Sequence, residues 1–385
     1  MTQHMKQTLL SCTAAAFLNA SLPAQEGGEA AQPVDILEPF SVIGSKENVS
    51  DLTGSGFYID TSELEIFNPT DITQILRTVP GVYVRPEEGY GLFPNISLRG
   101  VDSGRSKKVT LMEDGIPSAP SPFSDPAAYY SPTSGRMAGF EVLKGSSQVK
   151  HGPQTTGGVI NYLSTPIPQG KASNARLSYG SEGETVLHLH SGNQIQKDTG
   201  TLGYLFEVFH HQTDGWRTIN ATASLPSSDD TGFEKTDYML KFSWTPTDTR
   251  HYWEFKLGHT LLDGDIGYTG LSEADFAANP YQRYAATRYD NMDADHTRAY
   301  LRHLFDINDQ ATLSTTVFYN QFNRDWYKLA DITPDSTATK SKLSTSALED
   351  ADVLAVLNGT AAGTFRLKHN DRTYTVRGVQ SNLDY

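Results

Sequence analysis

Tyr238-Met239-Leu240-Lys241-Phe242-Ser243-Trp244-Thr245 alternates without a break. Successive side chains of an extended chain point to opposite faces. Tyr238, Leu240, Phe242 and Trp244 therefore share one face, and Met239, Lys241, Ser243 and Thr245 share the other. The next run, Tyr252-Trp253-Glu254-Phe255-Lys256-Leu257-Gly258, sets Trp253, Phe255 and Leu257 against Glu254 and Lys256. Comparable runs cover 175–180, 186–191, 203–211 and 297–306, with a softer contrast over 313–320. Segments of roughly ten residues, apolar and aromatic on one face and polar on the other, are the pattern of a transmembrane β-barrel. A β-sandwich in water also alternates. A face of Lys, Glu and Ser behind an aromatic-rich one fits a polar lumen and a lipid belt better.

Composition narrows the alternatives. The 385 residues hold 31 basic and 45 acidic side chains, a net charge of −14, which argues against nucleic acid as a partner. A single cysteine, Cys12, rules out a disulfide framework and a Cys-based zinc site. No window holds the eighteen or so apolar residues of a membrane-spanning helix. At the N-terminus, Lys6 precedes a small-residue apolar run from Leu9 to Leu22, and Pro23-Ala24 could close a cleavage site. Residues 1–24 read as a secretory signal peptide whose removal would take Cys12 with it.

Residues 25–44 read as a flexible lead, because 25–33 is small, acidic and Pro-containing. Within it, Ser41-Val42-Ile43 is a β-prone patch. It suits strand addition to a partner's sheet edge, or it is the first strand of the next domain; the residues leave both readings open.

From 45 to 170 the chain reads as a compact α+β domain. A short helix is expected over 70–79, capped by Thr70 or Asp71, with Ile72, Ile75, Leu76 and Val79 on one face and Pro80-Gly81 as the stop. Strands are expected over 82–85, 96–99, 109–113, 140–144 and 158–163, separated by Gly- and Pro-rich turns. Gly100, Gly115, Gly145 and the Gly157-Gly158 pair imply left-handed backbone or close approach. No nucleophile is paired with a base. Residues 171–385 hold roughly seven to nine strands, too few to surround the preceding domain, which calls for twenty or more. The chain therefore reads as the N-terminal part of a longer protein.

The order of short motifs resembles the plug domain of TonB-dependent outer-membrane receptors. The matching stretches are Asp71-Ile72 through Pro80-Gly81-Val82, Ile96-Ser97-Leu98-Arg99-Gly100, Leu111-Met112-Glu113-Asp114-Gly115-Ile116-Pro117, Val142-Leu143-Lys144-Gly145, and His151-Gly152-Pro153-Gln154 to Gly157-Gly158-Val159-Ile160-Asn161. Ala119-Pro120-Ser121-Pro122-Phe123 and Leu271-Ser272 through Arg283-Tyr284 look like the ferric dicitrate branch. The resemblance implies an α+β plug followed by an antiparallel transmembrane β-barrel, incomplete here, in the outer membrane of a Gram-negative-type bacterium. It implies active uptake of a ferric chelate, with no enzyme activity.

By the same resemblance, Glu38, Pro39, Phe40, Ser41, Val42 and Ile43 would form the Ton box. That segment would engage TonB and, through it, the inner-membrane energising complex. Arg99, Gly100, Asp114, Gly115, Gly157, Gly158 and Asn161 would shape the plug. Lys144 stands where the family usually has Arg, which puts a bidentate plug-to-barrel ion pair there in doubt. An anionic, oxygen-rich chelate calls for Arg forks, amides and aromatics. The expected contacts are Ser121, Phe123, Asp125, Tyr129 and Gln154 in the plug, and Arg283, Arg288 and Arg298 in the barrel. Solvated loop charge is the competing reading of those arginines. Asp263, Asp265, Asp290, Asp293, Asp295 and His296 lack the spacing of a calcium loop and read as ordinary loop carboxylates. No resident metal or cofactor is expected; iron would travel as cargo. Cobalamin, another metal chelate or a saccharide is the alternative cargo. An adhesin or surface hydrolase is the more distant alternative, and no nucleophile elbow supports the latter.

Overall fold

The alternating runs build one antiparallel wall, and the segment before them builds a smaller sheet that lies against the wall's polar face. The computed structural model describes residues 41–67, 69–102, 104–118, 130–151, 156–247, 250–343 and 346–385. In the N-terminal domain the strands are β1 Ser55–Ile59, β2 Val82–Arg85, β3 Asn95–Leu98, β4 Val109–Glu113, β5 Ile116–Pro117, β6 Met137–Lys144 and β7 Gly158–Ser164. Five of them form a sheet in the order β1-β6-β7-β4-β5, with β4 parallel to β7 and the other pairs antiparallel. β2 and β3 pair separately.

The expected helix is shorter than its pattern. It runs Ile72–Leu76, capped by Asp71, whose carboxylate accepts from the Thr73 amide at 2.7 Å. Turn-type bonds carry the chain on to Val79, and Gly81 at φ +75° releases it. Ile72, Ile75, Leu76 and Val79 pack with Ile96, Leu98, Phe140, Val142, Ile160 and Tyr162 in the domain's core.

The wall comprises β8 Ala172–Tyr179, β9 Thr185–Lys197, β10 Gly200–Thr213, β12 Phe233–Pro246, β13 His251–Gly264, β15 Asn291–Asn308 and β16 Ala311–Pro334, each paired with the next in that order. β17 Ser341–Lys342, β18 Gly363–His369 and β19 Arg372–Asp384 all pair with β16. Two short strands, β11 Thr218–Ile219 and β14 Gln282–Arg283, join two long loops by a parallel pair. Two-residue turns at 198–199 and 309–310 lie at one end, and the loops 214–232 and 265–290 lie at the other. Short turns on one side and long loops on the other are the asymmetry of an outer-membrane barrel. The wall does not close on itself among the described residues.

Its faces are inverted relative to a protein in water. Lys241 and Lys256 are 0% and 2% exposed, while Phe242 is 43% and Trp253 39% exposed. The pairing Trp244↔Trp253, Phe242↔Phe255 and Leu240↔Leu257 keeps the apolar positions in register across β12 and β13. The charged residues face inward onto the N-terminal domain, and the aromatic belt faces outward, where lipid would cover it. The strands are longer than the ten-residue runs: β15 has 18 residues and β16 has 24. Beyond the belt the polarity reverses: Asn291, Asp293 and Asp295 share one face and the buried Met292 and Ala294 the other, while the hydrogen-bond ladder continues.

Candidate functional site

Three features stand out, the first two where the domain meets the wall and the third within the domain. The first is a buried ionic seat. Glu113 ends β4, Asp114 follows it at φ +53°, and Arg136 precedes β6. Arg136 binds Glu113 at 2.6 Å and Asp237 of β12 at 2.9 Å, with Glu207 of β10 at 3.9 Å. Lys256 of β13 reaches Glu113 at 2.6 Å and also Asp114, while Arg298 of β15 pairs with Asp237 and lies 3.3 Å from Glu113. Burial alone would raise the Glu113 pKa, but the charges of Arg136, Arg298 and Lys256 hold it well below the usual carboxylate range. Asp114 is likewise depressed: burial opposes ionisation, and Lys256 overcomes it. Each buried charge here has a partner, the condition under which buried charge is tolerable.

The second feature is the apex. The loop after β2 places Gly89, at φ +102°, against the Trp216 ring, where an added Cβ would lie 3.2 Å from it. Tyr90 donates to the Thr231 carbonyl at 3.3 Å, and its ring lies 5.1 Å from Phe233. Glu88 is buried, and burial pushes its pKa up, although its carboxylate accepts from the Leu92 amide at 2.5 Å. Above this loop, Arg217 stacks on Trp216 at 4.0 Å. Arg283 donates to the carbonyls of Asp265 at 2.5 Å and Thr287 at 3.0 Å. Among the described residues neither guanidinium has a carboxylate within ion-pair distance. Burial lowers the pKa of both; at Arg283 the charges of Asp290 and Asp265 oppose this and that of Arg217 adds to it. The loops thus hold two incompletely neutralised cations over the apex. Lys328 lies between Tyr268 and Trp326, 3.4 and 3.7 Å from their rings.

The third feature is the segment Ser41–Gly44. It is no strand; it folds over β6, with the amides of Val42 and Ile43 donating to the Glu141 carboxylate at 2.8 and 2.7 Å. Ile43 is buried with Met112, Leu143 and Val159.

A family model, TonB-dependent Receptor Plug Domain, matches residues 48–159. Residues 48–159 are a plug domain of the TonB-dependent receptor type. The family is one of receptors and transporters, not of enzymes. The vitamin B12 transporter BtuB of Vibrio vulnificus is 28% identical over 215 residues, which is 54% of this chain and 32% of that protein. A second BtuB, from Photobacterium profundum, is 22% identical over 62% of this chain and 37% of its own length. The chain thus spans about a third of the curated relatives it matches. The fold is that of the unliganded ferric citrate transporter FecA, with a TM-score of 0.61, 24% identity and coverage of 74% of this chain and 42% of that one. The ferric yersiniabactin receptor FyuA of Yersinia pestis gives 0.60 at 18% identity, over 72% and 42%. The α+β plug followed by antiparallel barrel strands is therefore the architecture.

The residues expected to shape the plug fall at turns and contacts. Arg99 and Gly100 take φ +56° and +81°, and Gly115 takes +76°. A Cβ on Gly157 would meet the Lys108 carbonyl at 2.7 Å, and one on Gly158 the Leu143 carbonyl at 2.6 Å. Asn161 accepts from the Gly115 amide at 2.8 Å. Lys144 donates to the Pro80 carbonyl at 2.7 Å, a contact within the plug, and Arg136 makes the plug-to-barrel ion pairs. Arg283 lies over the apex, and Arg288 donates to the Pro226 carbonyl at 2.5 Å in the neighbouring loop. Arg298 lies in the ionic seat, away from Arg283 and Arg288. Glu38, Pro39, Phe40, Ser121, Phe123, Asp125, Tyr129 and Gln154 lie outside the described residues, as do residues 1–24. Sequence reasoning missed Arg136, Asp237, Glu141 and Arg217. Of these, Glu141 carried a signal, a charge within the expected strand 140–144.

Proposed function

We propose that the chain is the plug and first barrel strands of an outer-membrane receptor that takes up an anionic ferric chelate under energy supplied through TonB. The observation that carries the cargo reading is the pair Arg217 and Arg283, two poorly neutralised guanidiniums held over the plug apex by Trp216 and by loop carbonyls. Guanidinium forks suit carboxylate or other oxyanion groups of a chelate. In this reading the plug blocks the lumen, outward loops capture the chelate, and residues 38–43 engage TonB on the inner side. Arg288 and the plug loop bearing Ser121, Phe123, Asp125 and Tyr129, with Gln154, would complete the contacts. FecA and FyuA are named for ferric citrate and ferric yersiniabactin, which supports a ferric cargo; the BtuB relatives favour cobalamin as the second reading.

Whole-cell uptake of radiolabelled ferric citrate, other ferric chelates and cobalamin, with and without TonB, tests both. Expected is TonB-dependent iron uptake that falls at least tenfold in Arg217→Ala with Arg283→Ala. Cobalamin uptake alone would replace the cargo reading, and uptake that persists without TonB would overturn active transport.

A further inference from the structure

Glu141, in the middle of β6, has no exposed surface. Its carboxylate accepts from four consecutive residues: the Ser41 hydroxyl and the amides of Val42, Ile43 and Gly44, the last at 3.2 Å. Successive amides converging on an anion make a cradle that backbone geometry supports. Gly44 closes it at φ +90°. The far oxygen of the same carboxylate accepts from Asn161 Nδ2 at 2.7 Å. Through its own oxygen, Asn161 accepts from the Gly115 amide at 2.8 Å.

Gly115 belongs to the Asp114-Gly115 turn, and the barrel grips that turn from three strands. Lys256 of β13 binds the Asp114 carboxylate. Arg302 of β15 donates to the Asp114 carbonyl at 2.7 Å, and Gln380 of β19 donates to the Gly115 carbonyl at 3.1 Å. A continuous polar chain therefore runs from the barrel wall through the turn, Asn161 and Glu141 to the backbone of residues 42–44. A contiguous network of this kind can transmit a displacement if one element in it has two positions.

We propose that Glu141 is a latch holding the 41–44 segment on the plug, and that Asn161 sets the latch according to the position of the 114–115 turn. Displacing the turn from the wall would draw Asn161 off the carboxylate, weaken the cradle and free the segment. The inference deepens, and rests on, the reading of residues 38–43 as the coupling segment. The latch itself is a property of the plug that can be measured without transport.

The test is amide hydrogen exchange over 41–45 in the full-length receptor, with the amides of β6 and β7 as an internal record of plug integrity. Glu141→Gln keeps the shape and removes the charge. It should speed exchange over 41–45 by roughly ten- to a hundredfold, the worth of one or two charge-assisted bonds, with β7 unchanged. Gly44→Ala attacks the latch from the segment's side, since a side chain at φ +90° is strained, and should give the same rise should Glu141→Gln disturb the sheet. Unchanged protection over 41–45 with β7 intact, in either variant, overturns the latch. Lys256→Met and Asn161→Leu should each speed exchange, and the double variant should add little to the larger single effect. Additive effects overturn the relay. Failure of the coupling reading would appear elsewhere, as uptake indifferent to TonB, and would leave these exchange rates unaltered.

Discussion

Arg136 is 1% exposed and touches carboxylates from both sides of the plug–barrel seam, Glu113 from the plug and Asp237 from β12. Removing one member of a buried ion cluster leaves its partners charged and unpaired, at a cost of about 3–5 kcal/mol. Arg136→Met should lower plug stability by that amount in denaturant unfolding, and Arg136→Lys should fall between, because it loses the planar fork. Acid works on the seat in a defined direction. Glu113 and Asp114 are depressed in the folded state, so their contribution is complete above the unfolded values of about 4 and is lost only as pH falls through still lower folded values. Asp290, in the loop beside β15, is opposite. Burial raises its pKa to about 6, though the Leu329 and Tyr268 amides favour the anion. A raised carboxyl binds its proton more tightly folded than unfolded, so loop stability should fall as pH rises from about 4 to 6. Proteolysis of the 265–290 loop should be faster at pH 7 than at pH 5, and Asp290→Asn should flatten that difference.

At the scale of elements, β13 shows how the faces divide. Leu257 points outward opposite Leu240, and the next inward neighbour, Lys256, is buried in the ionic seat. A cation on the lipid face costs about 2–4 kcal/mol near the bilayer midplane, so Leu257→Lys should shift folding into lipid bilayers by about that much. A cost near zero, as for an ordinary surface substitution in water, would show that the outward face does not see hydrocarbon. This division was legible in the sequence because period-two alternation is a local property, as were the Asp71 cap and the left-handed turns at Gly100 and Gly115. The ionic seat was not legible. Arg136 meets Asp237 across 101 residues and Lys256 meets Glu113 across 143, and no local pattern encodes such pairs. Arg298 illustrates the difference: its polar neighbours suggested a ligand contact, whereas the period of β15 turns it inward onto Asp237. Arg217 was hidden for the converse reason, since a lone Trp-Arg pair in a loop carries no periodic signal.

The whole molecule has an edge problem that the wall does not solve by itself. Among the described residues β8 pairs only with β9, and β19 pairs only with β16, so each presents a row of backbone N–H and C=O groups to whatever lies beyond. The exposed Leu177 and Tyr179 on β8, and Val379 and Leu383 on β19, mark outward surface on these same strands. In water such edges invite pairing with other chains, and in hydrocarbon each unpaired group costs several kcal/mol. The ionic seat and the apex hold the plug to one side of the lumen and offer no substitute for those ladder bonds. The 385-residue chain expressed alone should therefore aggregate or be degraded, and a semi-native gel should show no heat-modifiable band, the mark of a closed outer-membrane barrel. Supplying further strands that pair with β8 and β19 should restore that band. A stable heat-modifiable species from these residues alone would mean that the two edges meet each other, and the plug would then have to sit outside the barrel it faces here.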